Sequence, residues 1–150
     1  MKYGPGVDKT MYSGFSEKES WPLQQPVSTL NYVPLFTAYR NTRLDAARLT
    51  WGVAEGAGKY AVLIVLPVGS VTLADGVIVS SRILLSQAAG AVYDFTTVNA
   101  TVNAANVPEL EPGETLVLAF DTNSTGVYAA TTPSAIRNLL IEAWSRDKIN

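Results

Sequence analysis

The chain has 150 residues, enough for one domain with its own hydrophobic core, and it contains neither cysteine nor histidine. These absences exclude disulfides and thiolate metal sites, and they remove the side chain that most often acts as a general base or metal ligand. The net charge of −2 argues against a general nucleic-acid partner. The apolar runs are much shorter than a membrane helix needs, and no secretory signal pattern is present. We therefore expect a soluble protein.

Residues 1–39 differ in composition from the rest of the chain, and we predict that they form an extended N-terminal arm. They hold four of the eight prolines and seven of the fourteen aromatic residues. Disordered tails are poor in aromatic residues, so these rings are expected to pack on a surface. Two surfaces remain open. The segment could lie as a strap on its own domain, or it could dock on a neighbouring subunit or partner.

Residues 40–150 are predicted to form an all-β domain, an antiparallel β-sandwich that is jelly-roll-like. Short apolar or alternating runs are separated by Gly, Pro, Asn and Asp turns, a pattern typical of sandwiches and barrels. The predicted strands are 44–51, 59–66, 76–86, 91–103, 115–121, 126–131 and 135–145. The last of these could instead form a short helix after Pro133. We favour a strand because its apolar run is suited to closing a sheet.

The best-patterned run, TLVLAFD (115–121), is apolar throughout its interior, as expected of a buried strand. The predicted core comprises Leu63, Val65, Leu116, Leu118, Phe120 and Ile141. Trp51 and Trp144 also lie in strand-like runs and are predicted to be buried. The segment TTVNATVNAANVP (96–108) alternates small and polar residues, so we predict an edge strand with a polar outer face, or else a flat strand against another protein.

Motifs for catalysis are weak. GAGKY (56–60) lacks the first glycine of a phosphate loop and the Ser or Thr that follows its lysine. The acidic residues that stand at turns are predicted to be solvated rather than held in a catalytic pair; they are Asp75, Glu109, Glu111, Glu114 and Asp121. The run DTNSTG (121–126) does not match a calcium loop, and no serine or lysine has an activating setting. We therefore predict no catalytic residue, no metal site, no cofactor and no enzymatic activity.

From Arg43 onward, the order of features resembles a β-sandwich of tailed-bacteriophage virion proteins. The stretches that carry the resemblance are RLDAARLTWGVAEGAGKYAVLIVLPVGSVTLADGVIVSS, GAVYDFTTVNATVNAANVPELEPGETLVLAFDTNSTG and a closing LLIEAW, within residues 43–145. In the middle stretch, a polar strand, the acidic PELEPGETL turn and the VLAF strand follow one another. Similar patterns occur in capsid decoration (cement) proteins, in head fibres and in tail-fibre or receptor-binding modules.

The resemblance implies a viral structural protein that decorates and stabilises a bacteriophage capsid by binding its outer surface at capsomer junctions. Its partners would be the major capsid protein and further copies of itself (a trimer is favoured, with a dimer next), and neither nucleic acid nor membrane. It would reside on the capsid exterior of the virion, and in the host cytoplasm during assembly. The alternative is a head-fibre or tail-fibre module that binds a receptor or glycan.

Large aromatic residues are favoured at the hot spots of protein interfaces. In the decoration role, the aromatic residues of the arm would therefore be its anchors on the partner. The predicted partner-binding residues are Tyr3, Tyr12, Phe15, Trp21 and Tyr32.

Overall fold

The structure, a computed structural model, describes residues 17–23, 31–96 and 108–147. Within these ranges the protein is all-β, as predicted, and two antiparallel sheets pack face to face. The strands are β1 (Glu17–Leu23), β2 (Tyr32–Thr37), β3 (Thr42–Thr50), β4 (Tyr60–Leu66), β5 (Val77–Ile78), β6 (Ile83–Leu84), β7 (Tyr93–Asp94), β8 (Glu109–Leu110), β9 (Thr115–Asp121) and β10 (Leu139–Asp147). A short 3-10 turn, Leu73–Asp75, lies between β4 and β5. The described ranges contain no helix of the length and hydrophobicity that crossing a membrane requires.

The strand order is that of a jelly roll. Sheet A contains β1, β10 and β3 in that order, and the short strands β7 and β8 pair with the other edge of β3. Sheet B contains β2, β9 and β4 in that order, and β5 and β6 pair with the other edge of β4. β1 therefore pairs with β10, β2 with β9, β3 with β7 and β8, and β4 with β5 and β6, as in a long hairpin that has been rolled up.

The core lies between the two sheets, and all six residues predicted to form it are buried there. Trp51 is also buried, as predicted, and its ring stacks on Tyr93 with centroids 4.6 Å apart. Trp144 is only half-buried, because it alternates with the core-facing Ala143 and so lies on the outer face of sheet A. The guanidinium of Arg48 packs over its ring at 4.8 Å.

The outer face of sheet A is charged. The carboxylate of Glu142 pairs with Lys18 Nζ and with Arg48 Nε, each at 2.9 Å, and these two cations lower the pKa of Glu142. Asp45 forms a further ion pair with Arg146 at 2.8 Å. An apolar inner face and a polar outer face are typical of an antiparallel sheet with one side in water.

The longer predicted strands correspond to β3, β4, β9 and β10, and the helical alternative for 135–145 is wrong. The predicted strand 76–86 is instead two short strands, β5 and β6. Their pairing with β4 is interrupted at Ser80. There the Ser80 hydroxyl, in place of a backbone carbonyl group, accepts the N–H of Leu63 at 2.8 Å.

Two predicted strands are not continuous in the structure. The segment 126–131 makes only one isolated bridge, because the carboxylate of Asp121 accepts the N–H of Ala129 and ties the segment down as a loop. Within 91–103, only β7 pairs with a neighbour in the described part. Residues 97–103, and with them most of the predicted edge strand 96–108, lie outside the described residues.

Part of the predicted arm belongs to the sandwich. β1 pairs with β10 over seven residues, and β2 pairs with β9. These two strands meet at one edge of the sandwich, where Trp21 stacks on Phe36 with ring centroids 6.2 Å apart. The predicted boundary between residues 39 and 40 therefore falls inside the sandwich. Residues 1–16 lie outside the described residues.

Candidate docking site on the outer face of sheet B

Sheet B is apolar on both faces. Its central strands, β4 (YAVLIVL) and β9 (TLVLAFD), are buried along nearly their whole length. Alternate side chains face the core, and the others form a second buried cluster on the outer face: Val62, Ile64, Leu66, Val117 and Ala119. A strand with one face in water would alternate apolar and polar residues, so these continuous apolar runs are the sequence signature of cover on both faces.

The first of two segments that cover this outer cluster is residues 67–76, between β4 and β5. It lies very close to the sheet at Gly76, where any Cβ would collide with Ile64 Cγ2. The hydroxyl of Tyr32, at the start of β2, donates to the carbonyl oxygen of Val71 at 3.2 Å. These contacts fix the segment on sheet B, and we call it the first lip.

The second lip is the loop 122–130, which follows β9. The Oδ1 atom of Asp121 accepts the N–H of Ala129 at 3.0 Å and so closes the base of the loop. Tyr128 packs on the outer cluster, and its hydroxyl donates to the carbonyl oxygen of Asn31 at 3.3 Å. Burial, together with the charge of Asp121, raises the pKa of Tyr128 to about 12. The phenol therefore keeps its proton, and this hydrogen bond, in mildly alkaline solution as well as at neutral pH.

An open cleft of about 710 Å³, which we call the outer groove, lies between the two lips. Its lining comes from both lips, from Asn31 and Tyr32, and from strands β4 and β5, and none of the lining residues is charged. Val71 and Val127 stand on its rims and are 77% and 83% exposed. The outer cluster itself is buried beneath the two lips, and the apolar surface that stays exposed is that of the lips, which has the concave form of a binding site.

A smaller cleft, of about 420 Å³, lies at the edge of the sandwich where β6 and β7 approach each other. Its lining is more polar and combines two aromatic side chains with charged and hydroxyl groups, among them Tyr60, Arg82, Tyr93, Asp94 and Ser124. It is therefore a candidate site for a polar ligand rather than for an apolar one.

Asp121, which was predicted to be an exposed turn residue, is instead completely buried. Its Oδ2 atom accepts a hydrogen bond from Arg82 Nε at 2.8 Å, and Arg82 Nη2 donates to the carbonyl oxygen of Gly126 at 2.6 Å. The prediction was wrong because Asp121 ends β9 with its side chain under the second lip. Its partner is 39 residues away in the chain, so local sequence gave no sign of the pair.

The acidic Pro-Gly turn between β8 and β9 is a tight turn. The N–H of Glu114 donates to the carbonyl oxygen of Glu111 at 3.0 Å, and Gly113 has a φ of 91°, which favours glycine at that position. Glu111 and Asp75 are exposed, as predicted, whereas Glu109 and Glu114 are half-buried. In the described ranges, no three acidic side chains come together as a metal ion would require.

A second buried carboxylate, Glu55, was missed in the sequence. It accepts backbone N–H groups at 2.7–3.2 Å, from Gly56, Ser134, Ala135 and Ile136. Burial raises the pKa of the carboxyl group, but these four donors outweigh burial and lower the pKa of Glu55 to about 2. The sequence held one signal of this buried role: Glu55 is the one charged residue between Arg48 and Lys59.

Of the predicted arm anchors, Trp21 and Tyr32 fall within the described residues, and they lie at different places. Trp21 faces inward at the edge of the sandwich and packs against the core. Tyr32 lines the outer groove. Tyr3, Tyr12 and Phe15 lie outside the described residues. Tyr32 is thus the predicted anchor that the fold places at the candidate site.

Replacing Trp21 with alanine is expected to lower the free energy of unfolding by about 2 kcal/mol, because the ring is half-buried between the core and Phe36. Urea denaturation would measure the change. The matched control is Tyr39→Ala, because Tyr39 is 95% exposed; it should alter stability by no more than about 0.5 kcal/mol. A Trp21→Ala variant as stable as the unsubstituted protein would contradict this packing role and favour a partner-facing anchor.

Comparison of the chain with protein-family models, with curated proteins and with solved structures gives no match.

Proposed function

We propose that the protein is a structural component of a larger assembly, and specifically a decoration protein on the exterior of a bacteriophage capsid. The observation that carries the proposal is the outer groove, an apolar and uncharged concave surface on an otherwise well-packed sandwich. Contiguous apolar surface that a folded domain leaves exposed is typical of an interaction site. The resemblance of residues 43–145 to phage virion sandwiches supplies the kind of assembly.

The buried carboxylates support a binding role rather than a catalytic one. The oxygens of Glu55 accept backbone N–H groups, and those of Asp121 accept backbone N–H groups and the guanidinium of Arg82. A general base needs a free lone pair aimed at its substrate and a pKa near the working pH. The pKa of Glu55 is about 2, so this group is a structural acceptor that holds two loops together.

In the proposed role, many copies bind the outer face of the capsid at the junctions between capsomers. They stabilise the shell by mass action, because they bind the assembled state and not its separate parts. A homo-oligomer engages several sites at once, which raises the overall avidity without any new contact. The proposed partner is the major capsid protein, and the proposed anchors include the aromatic side chains Tyr3, Tyr12 and Phe15.

The test of this role is the copy number of the chain in purified particles from its source, measured by quantitative mass spectrometry against the major coat protein. Decoration predicts a number comparable to that of the coat protein, and loss of the chain should lower the temperature at which the shell breaks open. Absence of the chain from particles would overturn the virion role altogether.

The alternative role, a glycan- or receptor-binding module of a head or tail fibre, is favoured by the smaller polar cleft that contains Tyr60 and Tyr93. Aromatic faces beside polar side chains suit a ligand with both apolar and hydroxyl surfaces. A small number of copies per particle, together with binding to host-surface polysaccharide, would favour this role over decoration.

A further inference from the structure

We propose that the outer groove is the surface through which two copies of this chain associate about a two-fold axis, with the Val127 rim of each copy seated in the groove of the other. The inference rests on the proposed function, because it names the partner that covers this site within the assembly. The major capsid protein would then contact other surfaces of the dimer.

The shape of the site is the one that a two-fold interface needs. In such an interface the same patch meets itself, so the projecting parts of one copy must find recesses in the other. This patch contains both. Val71 and Val127 project from the rims, 77% and 83% exposed, beside a cleft of about 710 Å³. A valine side chain on a rim and an apolar recess next to it are complementary when one copy is turned to face another.

The charges of the site also fit a second copy. No lining residue of the groove is charged, so two chains that each carry a net charge of −2 can meet there without like-charge contacts. The outer face of sheet A differs in this respect. It carries the ion-paired cluster of Lys18, Arg48 and Glu142, whose desolvation in an interface would be unfavourable.

The two phenol hydroxyls of the groove are satisfied within the chain. The hydroxyls of Tyr32 and Tyr128 donate to the carbonyl oxygens of Val71 and Asn31, so their rings present apolar faces rather than free donors. A sugar or a charged peptide would find few side-chain partners here. The occupant that best matches the surface is an apolar one, such as the rim of another copy.

The groove is also preformed, which lowers the entropic cost of association. The first lip is held by its close approach at Gly76 and by the Tyr32 hydroxyl. The second lip is held by Asp121 at its base and by Arg82, which donates to the carbonyl oxygen of Gly126. Both rims are therefore in place before a second copy arrives.

Sedimentation velocity of the full chain, in a concentration series up to about 100 μM, tests the inference because weak self-association lies in this range. The unsubstituted chain should sediment as a dimer. Val127→Glu on one rim and Val71→Glu on the other should each raise the dissociation constant by about 100-fold or more, because each places an unpaired charge in the apolar interface. Both side chains are exposed in the single copy, so at concentrations where the variants and the unsubstituted chain are all monomeric their thermal unfolding midpoints should be equal.

The matched control is Val92→Glu, which adds the same charge at another exposed valine, 52% exposed, that lines the smaller cleft and not the outer groove. This variant should remain dimeric. A monomeric unsubstituted chain, a trimer, or equal dissociation of the Val92→Glu and Val127→Glu variants would each overturn the two-fold proposal.

Sedimentation velocity tests the dimer and the copy number in particles tests the decoration role, so either proposal can be rejected without the other. A dimer that depends on Val127 in a chain absent from particles would sustain the inference and reject the decoration role. A monomeric chain present at a copy number close to that of the coat protein would sustain the decoration role and reject the inference.

Discussion

Replacing Asp121 with alanine is expected to lower the free energy of unfolding by about 3–5 kcal/mol, the usual range for removing one partner of a buried ion pair. The loss has two causes. The guanidinium of Arg82, whose side chain is 8% exposed, would keep its charge without its carboxylate partner at 2.8 Å. The N–H groups of Asn123 and Ala129, which donate to Oδ1 at 2.8 and 3.0 Å, would lose their acceptor at the base of the second lip.

Denaturant unfolding would measure the change, with Asp75→Ala as the matched control. Asp75 is also an aspartate at a turn, but it is exposed and its contact is a hydrogen bond from the Ser70 hydroxyl at 3.1 Å. The control should lose no more than about 0.5 kcal/mol. The double variant with Arg82→Ala should be less destabilised than the sum of the single variants, because it removes the unpaired charge. Equal losses in the Asp121 and Asp75 variants would contradict the structural assignment.

Replacing Glu55 with glutamine is expected to lower the free energy of unfolding at neutral pH by about 3 kcal/mol, from the lowering of the pKa to about 2 from 4.5. A carboxyl whose folded pKa is depressed stabilises the fold above its unfolded pKa. That stabilisation is lost as the pH falls through the folded value. The difference in stability between the unsubstituted protein and Glu55→Gln should therefore shrink between about pH 5 and pH 2.

Urea denaturation at a series of pH values would follow this difference. Glu111→Gln is the matched control, because Glu111 is an exposed glutamate at a turn. Its effect should stay within about 0.5 kcal/mol at neutral pH. A Glu55→Gln deficit that is the same at neutral and acid pH would show that shape, and not charge, holds the two loops together.

The sequence predicted the central strands and the core because those features are local. Unbroken apolar runs within 59–66 and 115–121 identify buried strands without any knowledge of their partners. The short strands β5 and β6 were predicted as one, because no local signal shows that the Ser80 hydroxyl replaces a ladder carbonyl. The loop 126–131 was predicted as a strand for a similar reason, since Asp121 holds it by hydrogen bonds that local propensity does not encode.

The candidate site depends on contacts between distant parts of the chain. The outer groove brings together the start of β2, the first lip and the second lip, and Tyr32 and Val71 are 39 residues apart in sequence. The sequence did contain one unused signal. Apolar residues at every interior position of β4 and β9 indicate cover on both faces, and they therefore imply a third layer over sheet B.

The order of the strands also governs how the domain can be made. β10 lies between β1 and β3, and β9 lies between β2 and β4, so no two of the first four strands are neighbours in a sheet. As the chain leaves the ribosome, the apolar run of β4 emerges well before β9, the strand that will shield it. The sandwich therefore cannot grow strand by strand during translation. It must close in a late step that depends on long-range pairing, and until then the nascent chain is exposed to aggregation.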